Sequence, residues 1–276
     1  MILLVASNKD PASQAIKIQI LKNYIFSKTN KTFEDNTIYT ADVNKKKVRL
    51  ITLNRELVGS QDLPEKFPDA NLIVFISRHS SQSGKPTLTV HTPGNFAGAE
   101  LGGLPKSVSV SPAVAMQTAL KALVHYQDQL GLFSYEVSYE VTLHGPSLNV
   151  PTMFVELGSS PEQWSDVKAA EAVAHSAMIA IANFEESPSA TAVLGVGGTH
   201  YNQQFTLSAL MGVAAFGHMV PKYAVSNIDA DMVRQCVEKT FEKVPYALLD
   251  WKGIRSEDKP GLIAALEDAR LPYKRI

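Results

Sequence analysis

The segment Leu72-Ile73-Val74-Phe75-Ile76 places five apolar residues in a row with no polar residue between them. A strand with one face in water alternates apolar and polar positions, so a strand without alternation is covered on both faces. Ala192-Val193-Leu194-Gly195-Val196 reads as a second buried strand, and the opening Ile2-Leu3-Leu4-Val5 as a third. The opening strand runs into Ser7-Asn8-Lys9-Asp10-Pro11, after which Ile16, Ile20, Leu21 and Tyr24 share one helical face. Strands are expected at 48–53 and 153–157, with a long alternating strand over 135–143. Ser111-Pro112 predicts a helix start, with Gly131 as its stop. Ser160-Pro161-Glu162-Gln163 has the serine and glutamine of a capping box before one long helix toward Phe184. Helices are also expected over 205–215, 231–243 and 260–269, and a loop-rich excursion over 84–106. The 276 residues contain no linker long enough to divide them, so the expectation is a single domain, 1–276, of the α/β class around a parallel or mixed sheet.

The histidines are distributed unevenly against this frame. Five stand in short polar bursts at the ends of apolar runs: Ser77-Arg78-His79-Ser80, Val90-His91-Thr92-Pro93-Gly94, Leu143-His144-Gly145-Pro146, Gly197-Gly198-Thr199-His200-Tyr201 and Gly217-His218-Met219-Val220-Pro221. Four of the bursts contain glycine or proline, which predicts loop positions converging on one polar cleft. His125 and His175 sit in helical patterns instead. His79 and His144 follow strands, and open α/β sheets hold ligands beyond their strands' carboxyl ends. Glu156 is the one charge in Pro151–Leu157, where desolvation is expected to raise its pKa toward general-base duty. Imidazole and carboxylate are good zinc ligands, and a catalytic zinc needs about three of them plus water. Water on such an ion is acidic enough to attack a carbonyl once Glu156 or a histidine takes its proton. Gly197 and Gly198 are expected to offer backbone N–H groups to an anion or carbonyl oxygen, with Thr199 and His200 facing it. The stretch His91-Thr92-Pro93-Gly94-Asn95 follows the same logic.

Several classes are excluded. The chain has no HExxH, no GxSxG and no Walker loop, and His200 stands where a dinucleotide fingerprint needs its third glycine. Cys236 is the single cysteine, which excludes a disulfide framework and suits a small buried hydrophobe. A net charge of −1 gives no global attraction to nucleic acid or membrane, so an RNA partner needs a local basic patch. No apolar run reaches the roughly 18 residues of a membrane span, and a cytoplasmic protein is expected.

Taken in order, Ser77-Arg78-His79-Ser80-Ser81, Leu88 to Asn95, His144-Gly145-Pro146, Phe154 to Ser160 with Trp164, Gly197 to Tyr201, and Gly217-His218 resemble the D-aminoacyl-tRNA deacylase of the archaeal and plant type. The resemblance runs from the first strand to about Tyr223. It implies a three-layer α/β/α sandwich around a mixed sheet, phosphorylase/hydrolase-like, and hydrolysis of the ester joining a D-amino acid to tRNA. It also implies zinc, in agreement with the histidine reading. Combined, the two readings give His79, His91, His144 and His218 as metal ligands, and Glu156, Thr199 and His200 as catalytic residues. Arg78, Asn95, Gly197, Gly198 and Tyr201 are expected to contact substrate. The expected partner is aminoacyl-tRNA, with no membrane and no stable protein partner, the chain acting as a monomer. Tyr201, Phe205 and Phe96 are candidates for stacking the terminal adenine, and Arg78 and Lys222 for phosphate. One departure from the expected pattern is Asn202-Gln203-Gln204, where a basic residue is anticipated before Phe205-Thr206. The alternatives are a nucleoside phosphorylase-like or zinc peptidase-like enzyme on the same fold, marked by phosphate-dependent nucleoside cleavage without esterase activity. A non-catalytic RNA-binding module is the other, marked by salt-steep binding without turnover.

Overall fold

The computed structural model describes residues 1–186 and 190–276. In chain order the elements are β1 (Ile2–Ser7), α1 (Pro11–Asn23), β2 (Ser27–Phe33), β3 (Asn36–Val43), β4 (Lys46–Leu53), the one-turn α2 (Leu63–Lys66), β5 (Leu72–Arg78), β6 (Thr87–His91), β7 (Gly94–Asn95), β8 (Ser107–Val108) and α3 (Ala113–Gln129). There follow β9 (Glu136–Tyr139), β10 (Thr152–Gly158), α4 (Pro161–Trp164), α5 (Val167–Asn183), β11 (Ala192–Val196), α6 (Gln203–Leu210), β12 (Ala215–Val220), α7 (Ala230–Glu238), β13 (Ala247–Leu249), α8 (Lys259–Asp268) and β14 (Tyr273–Arg275).

Eight strands form a mixed sheet in the order β2-β3-β4-β1-β5-β10-β6-β9. Its centre, β4-β1-β5-β10, is parallel, and β6 runs against β10. The unbroken apolar strands occupy this centre because both of their faces are covered. Alternate residues Ile2 and Leu4, Leu72, Val74 and Ile76, Met153, Val155 and Leu157 pack under α1, α3 and α5. The intervening Leu3, Val5, Ile73, Phe75 and Phe154 face Leu57, Leu63 and Phe67 around α2. Helices thus lie on both sides of a mixed sheet, as expected. A second, four-stranded sheet, β12-β11-β13-β14, is all parallel and packs on α7 and α8. Cys236 is buried in that packing. Among the described residues no helix is long and apolar enough to cross a membrane.

Several local expectations are corrected. The long helix toward Phe184 is broken: α4 makes one turn, and α5 has its own N-cap, Asp166, whose carboxylate accepts from the N–H groups of Lys168 and Ala169. Ser160 gives its hydroxyl to Gln163 Oε1 rather than capping a backbone N–H. Ser111 does not cap α3; the carboxylate of Glu242 does, accepting from Ala113 N–H at 2.9 Å and Val114 N–H at 3.0 Å. The alternating segment 135–143 is a strand only over β9, then leaves the sheet through bridges from Glu140 to Tyr201 and from Leu143 to Pro93. The segment 84–106 contains β6, and the helices expected over 205–215 and 231–243 end at Leu210 and Glu238. The hairpin β2-β3 was not anticipated.

Candidate active site

The same period of two builds the site. Glu156 on β10 is paired with Ser77 on β5 and with Thr89 on β6, and Phe154 is paired with His91. All five therefore point to the face away from α1, α3 and α5. Near the carboxyl ends of β5 and β10 this face turns from apolar to polar. His91 marks the boundary: its ring stacks on Phe154 with centroids 5.0 Å apart and planes 7° apart.

Two carboxylates anchor the cluster. Ser77 donates its hydroxyl to Glu156 Oε1 at 2.6 Å. Glu156 Oε2 lies 3.5 Å from His79 Nδ1 and 3.7 Å from His91 Nε2. Glu140, just beyond β9, is wholly buried; its Oε2 accepts from His200 Nε2 at 2.9 Å. Its Oε1 stands 3.0 Å from His79 Nδ1 without hydrogen-bond alignment. The Tyr201 hydroxyl is 2.6 Å from His79 Nε2. His79 is held from behind as well, because its N–H donates to Leu157 O and Trp164 Nε1 donates to its carbonyl. His91 and His144 each turn Nδ1 to a backbone carbonyl, Thr92 O at 3.3 Å and Gly145 O at 2.7 Å. Carbonyls only accept, so Nδ1 carries a proton in both rings; burial would lower the pKa of His91, but the Glu156 and Glu140 carboxylates raise it. Among the described residues His91 Nε2, though buried, has no hydrogen-bond partner. Among the described residues two groups of side chains could hold a metal ion, His79 with Glu140 and His200, and His91 with His144 and Glu156, the ligand atoms of each lying within 4.8 Å of one another.

The electrostatics follow from this crowding. Burial alone would lower the pKa of His79, yet the Glu140 and Glu156 carboxylates push it up to about 11. Burial would raise Glu156, but His79 and His91 hold it down at about 2. The expectation of a desolvated, raised Glu156 is thereby overturned, because the neighbouring imidazoles outweigh burial. Glu140 is likewise held well below the carboxylate range by His200 and His79 against its burial. His144, buried and beside His91, is lowered to about 4 and stays neutral. The cleft above these groups encloses about 580 Å³. Asp10 lines it too, capping α1 through Ser13 N–H, accepting from Arg78 N–H at 2.8 Å, and raised by burial to about 6.

Of the expected site residues, His79, His91, His144, Glu156, His200 and Tyr201 are brought together. Arg78 stands at the rim, its guanidinium on Lys9 O and 5.5 Å over Trp164. The remaining expectations are redirected. His91 and His218 lie on strands β6 and β12, not on loops, because their neighbours complete sheet ladders. His218 does not join the cluster: it is wholly buried, with its ring nitrogens on Thr142 Oγ1 at 3.3 Å and Lys239 O at 3.1 Å. The N–H groups of Gly197 and Gly198 are spent on Val220 O and Gly253 O, so they do not face an anion. Their left-handed φ of 112° and 77° instead lets the loop pass close to Asp250. Thr199 is exposed and gives its hydroxyl to Tyr201 O. Asn95 lies in an adjoining cavity. Phe205 and Phe96 are buried, so neither offers a free face for a base. Sequence reasoning missed Glu140, Ser77 and Asp10. The signal for Glu140 was present in the alternation of 135–143, where it falls on the same face as Ser138 and, through β6, as Glu156.

A family model described as D-aminoacyl-tRNA deacylase matches residues 66–274. The D-aminoacyl-tRNA deacylase of Thermococcus kodakarensis is 34% identical over 281 residues, spanning 100% of both chains. That of Ignicoccus hospitalis is 37% identical over 228 residues, 79% of this chain and 90% of its own. Among solved structures, a crystal structure of a conserved protein of unknown function is 30% identical, with a TM-score of 0.86, covering 100% of this chain and 95% of that one.

Proposed function

Because this chain belongs to the D-aminoacyl-tRNA deacylase family of enzymes, we propose that it hydrolyses the ester of D-aminoacyl-tRNA in the cytoplasm, releasing D-amino acid and tRNA, with zinc held at the cleft floor. The observation that carries the chemistry is the orphaned Nε2 of His91. A buried nitrogen without a partner is costly unless something meets it. An imidazole fixed through its other nitrogen is the usual posture of a metal ligand. His91, neutral His144 and Glu156 share that posture and suit zinc, whereas both ring nitrogens of His79 already face Glu140 and Tyr201. When bound, zinc supplies an acidified water and polarises the ester carbonyl.

The other residues divide the remaining work. Glu140 orients His200 by accepting from its Nε2. His200 lines the cleft with a third of its side chain exposed, so it is placed to take a proton from the attacking water. The same imidazole returns the proton to the leaving ribose oxygen. His79, an imidazolium between two carboxylates, offsets their repulsion, and Tyr201 fixes its far nitrogen. Thr199 steadies Tyr201 through its backbone. Arg78 at the rim is placed for a phosphate of the tRNA end.

The test is release of amino acid from D-tyrosyl-tRNA and L-tyrosyl-tRNA, before and after chelation and zinc restoration. The D ester is expected to be cleaved far faster, chelation to abolish the rate, and zinc to restore it. Equal rates on both enantiomers would remove the chiral assignment. Indifference to chelation would remove the metal.

A further inference from the structure

The esterase reading leaves open where the end of the tRNA sits, and the inference below rests on that reading. Across the partition formed by Leu143 and His144 lies a second cavity of about 210 Å³. Both cavities are lined by those two residues. The far walls come from Gly94-Asn95-Phe96-Ala97-Gly98 and from Pro221, Tyr223, Ala224 and Asn227.

The first wall is closely built. A Cβ on Gly94 would lie 2.7 Å from Val108 Cγ1 and 2.9 Å from Thr142 Cγ2, so the pairing of β7 with β8 closes only around glycine. Asn95 pins the loop by donating to Gly102 O at 2.9 Å and Leu104 O at 3.2 Å. The Thr-Pro-Gly-Asn-Phe burst of the sequence thus finds its use in shaping this cavity. The second wall carries Tyr223, which is 56% exposed while Pro221 and Ala224 on either side are buried. Among the described residues its ring stacks on no other aromatic side chain and its hydroxyl has no hydrogen bond. Asn227 is exposed in the same wall, its amide also without a protein partner.

The substrate's geometry joins these facts. The scissile carbonyl and the terminal base hang from one ribose, so with the carbonyl beside His144 the base must occupy a neighbouring space. We propose that the cavity behind Leu143-His144 takes the base of the substrate's terminal adenosine, stacked on Tyr223 with Asn227 at its polar edge. Its volume admits one planar base and not a nucleotide. The aminoacyl side chain then lies on the other side of the partition, toward Leu57, Val58 and Leu101. With base and carbonyl both fixed, the substituents of the chiral carbon have assigned places, and the two enantiomers cannot fill them alike.

The experiment uses the zinc-loaded protein with Tyr223→Ala and Tyr223→Phe; the residue is exposed, and thermal unfolding checks that both variants fold. Adenosine 5′-monophosphate is titrated calorimetrically, and KM and kcat are measured on D-tyrosyl-tRNA. Loss of one base–aromatic stack predicts about tenfold weaker binding of the nucleotide to Tyr223→Ala. A matching rise in KM is expected with kcat little changed, and Tyr223→Phe should retain both affinities. Unchanged nucleotide affinity in Tyr223→Ala overturns the assignment. So does a changed ranking among D-amino acids with nucleotide binding intact, since that places the acyl group here. If the nucleotide binds through Tyr223 but the wild-type protein leaves D-tyrosyl-tRNA intact, the base site stands and the esterase reading falls.

Discussion

A carboxylate removed from water keeps its charge only beside a cation, and the floor of this cleft holds two carboxylates that share the imidazolium of His79. Glu140 is the informative member, because it is wholly buried and bonded to His200, which is the more exposed of the two. Its replacement by glutamine keeps the shape and removes the charge that orients His200. We expect Glu140→Gln to lower kcat by about two orders of magnitude, the scale of a lost acid–base function. KM and zinc content should stay close to wild type; a loss of zinc would move the ion to the His79, Glu140 and His200 group. The converse variant is His144→Ala, for which metal analysis should find the ion gone, whereas His200→Ala should retain it. Glu156 was legible in sequence as a lone charge in an apolar strand. Glu140 was harder to read despite the alternation of 135–143, because an alternating strand offers each polar residue a solvent face by default, and here the chain bridges to Tyr201 instead.

The elements show the same division. Strands β1, β4, β5, β10 and β11 were readable because their apolar runs answer to the core alone. Strands β6 and β12 were not, because each mixes core positions with polar ones. Thr87, Thr89 and His91 on β6 face the site and read as loop, and Gly217-His218 breaks the apolar pattern of β12. Burial was present in both cases, but the water-excluding partner came from distant chain. Helix α3 makes the point energetically. Its first N–H groups find no acceptor in Ser111 and instead receive Glu242, 129 residues onward for Ala113. Burial raises the pKa of that carboxyl, and its backbone bonds offset part of the cost. Glu242→Ala should cost about 1–2 kcal/mol, as the loss of a helix cap does. In a protein of this size that is a fall in Tm of roughly 2–8 °C. Glutamine at the same position should recover part of it, and a scan with both variants would separate capping from charge.

For the whole molecule, the site is a junction: His79, His91 and Glu156 come from the strands of the large sheet or their ends, His144 from the segment that leaves it after β9, and His200 and Tyr201 from the loop after β11 of the small one. Residues 140–142 join them through the N–H groups of Val141 and Thr142, which donate to His200 O and Met219 O. His218 lies at this seam, wholly buried and lowered to about 4 by burial. The sign of its pH effect is fixed. Above its ordinary value of 6.5 both folded and unfolded chains hold it neutral, and it contributes nothing. As pH falls from 6.5 toward 4 the unfolded chain takes a proton that the folded chain refuses, so stability is lost, at most about 3 kcal/mol. Asp10 acts in the opposite sense, since burial raises it from 3.8 to about 6 and its contribution is present in acid and lost as pH rises through 6. The two slopes oppose each other between pH 4 and 6 and conceal both in the wild-type profile. A difference measurement exposes one of them. His218→Phe should be less stable than wild type at pH 7, having lost the bonds to Thr142 and Lys239 O. Its deficit should shrink steadily as pH falls to 4.5. Because His218 belongs to neither metal-binding group, the ion's own pH dependence is common to both proteins and drops out. Urea unfolding at several pH values would show the two curves converging; parallel curves would mean that His218 is not held neutral in the folded protein.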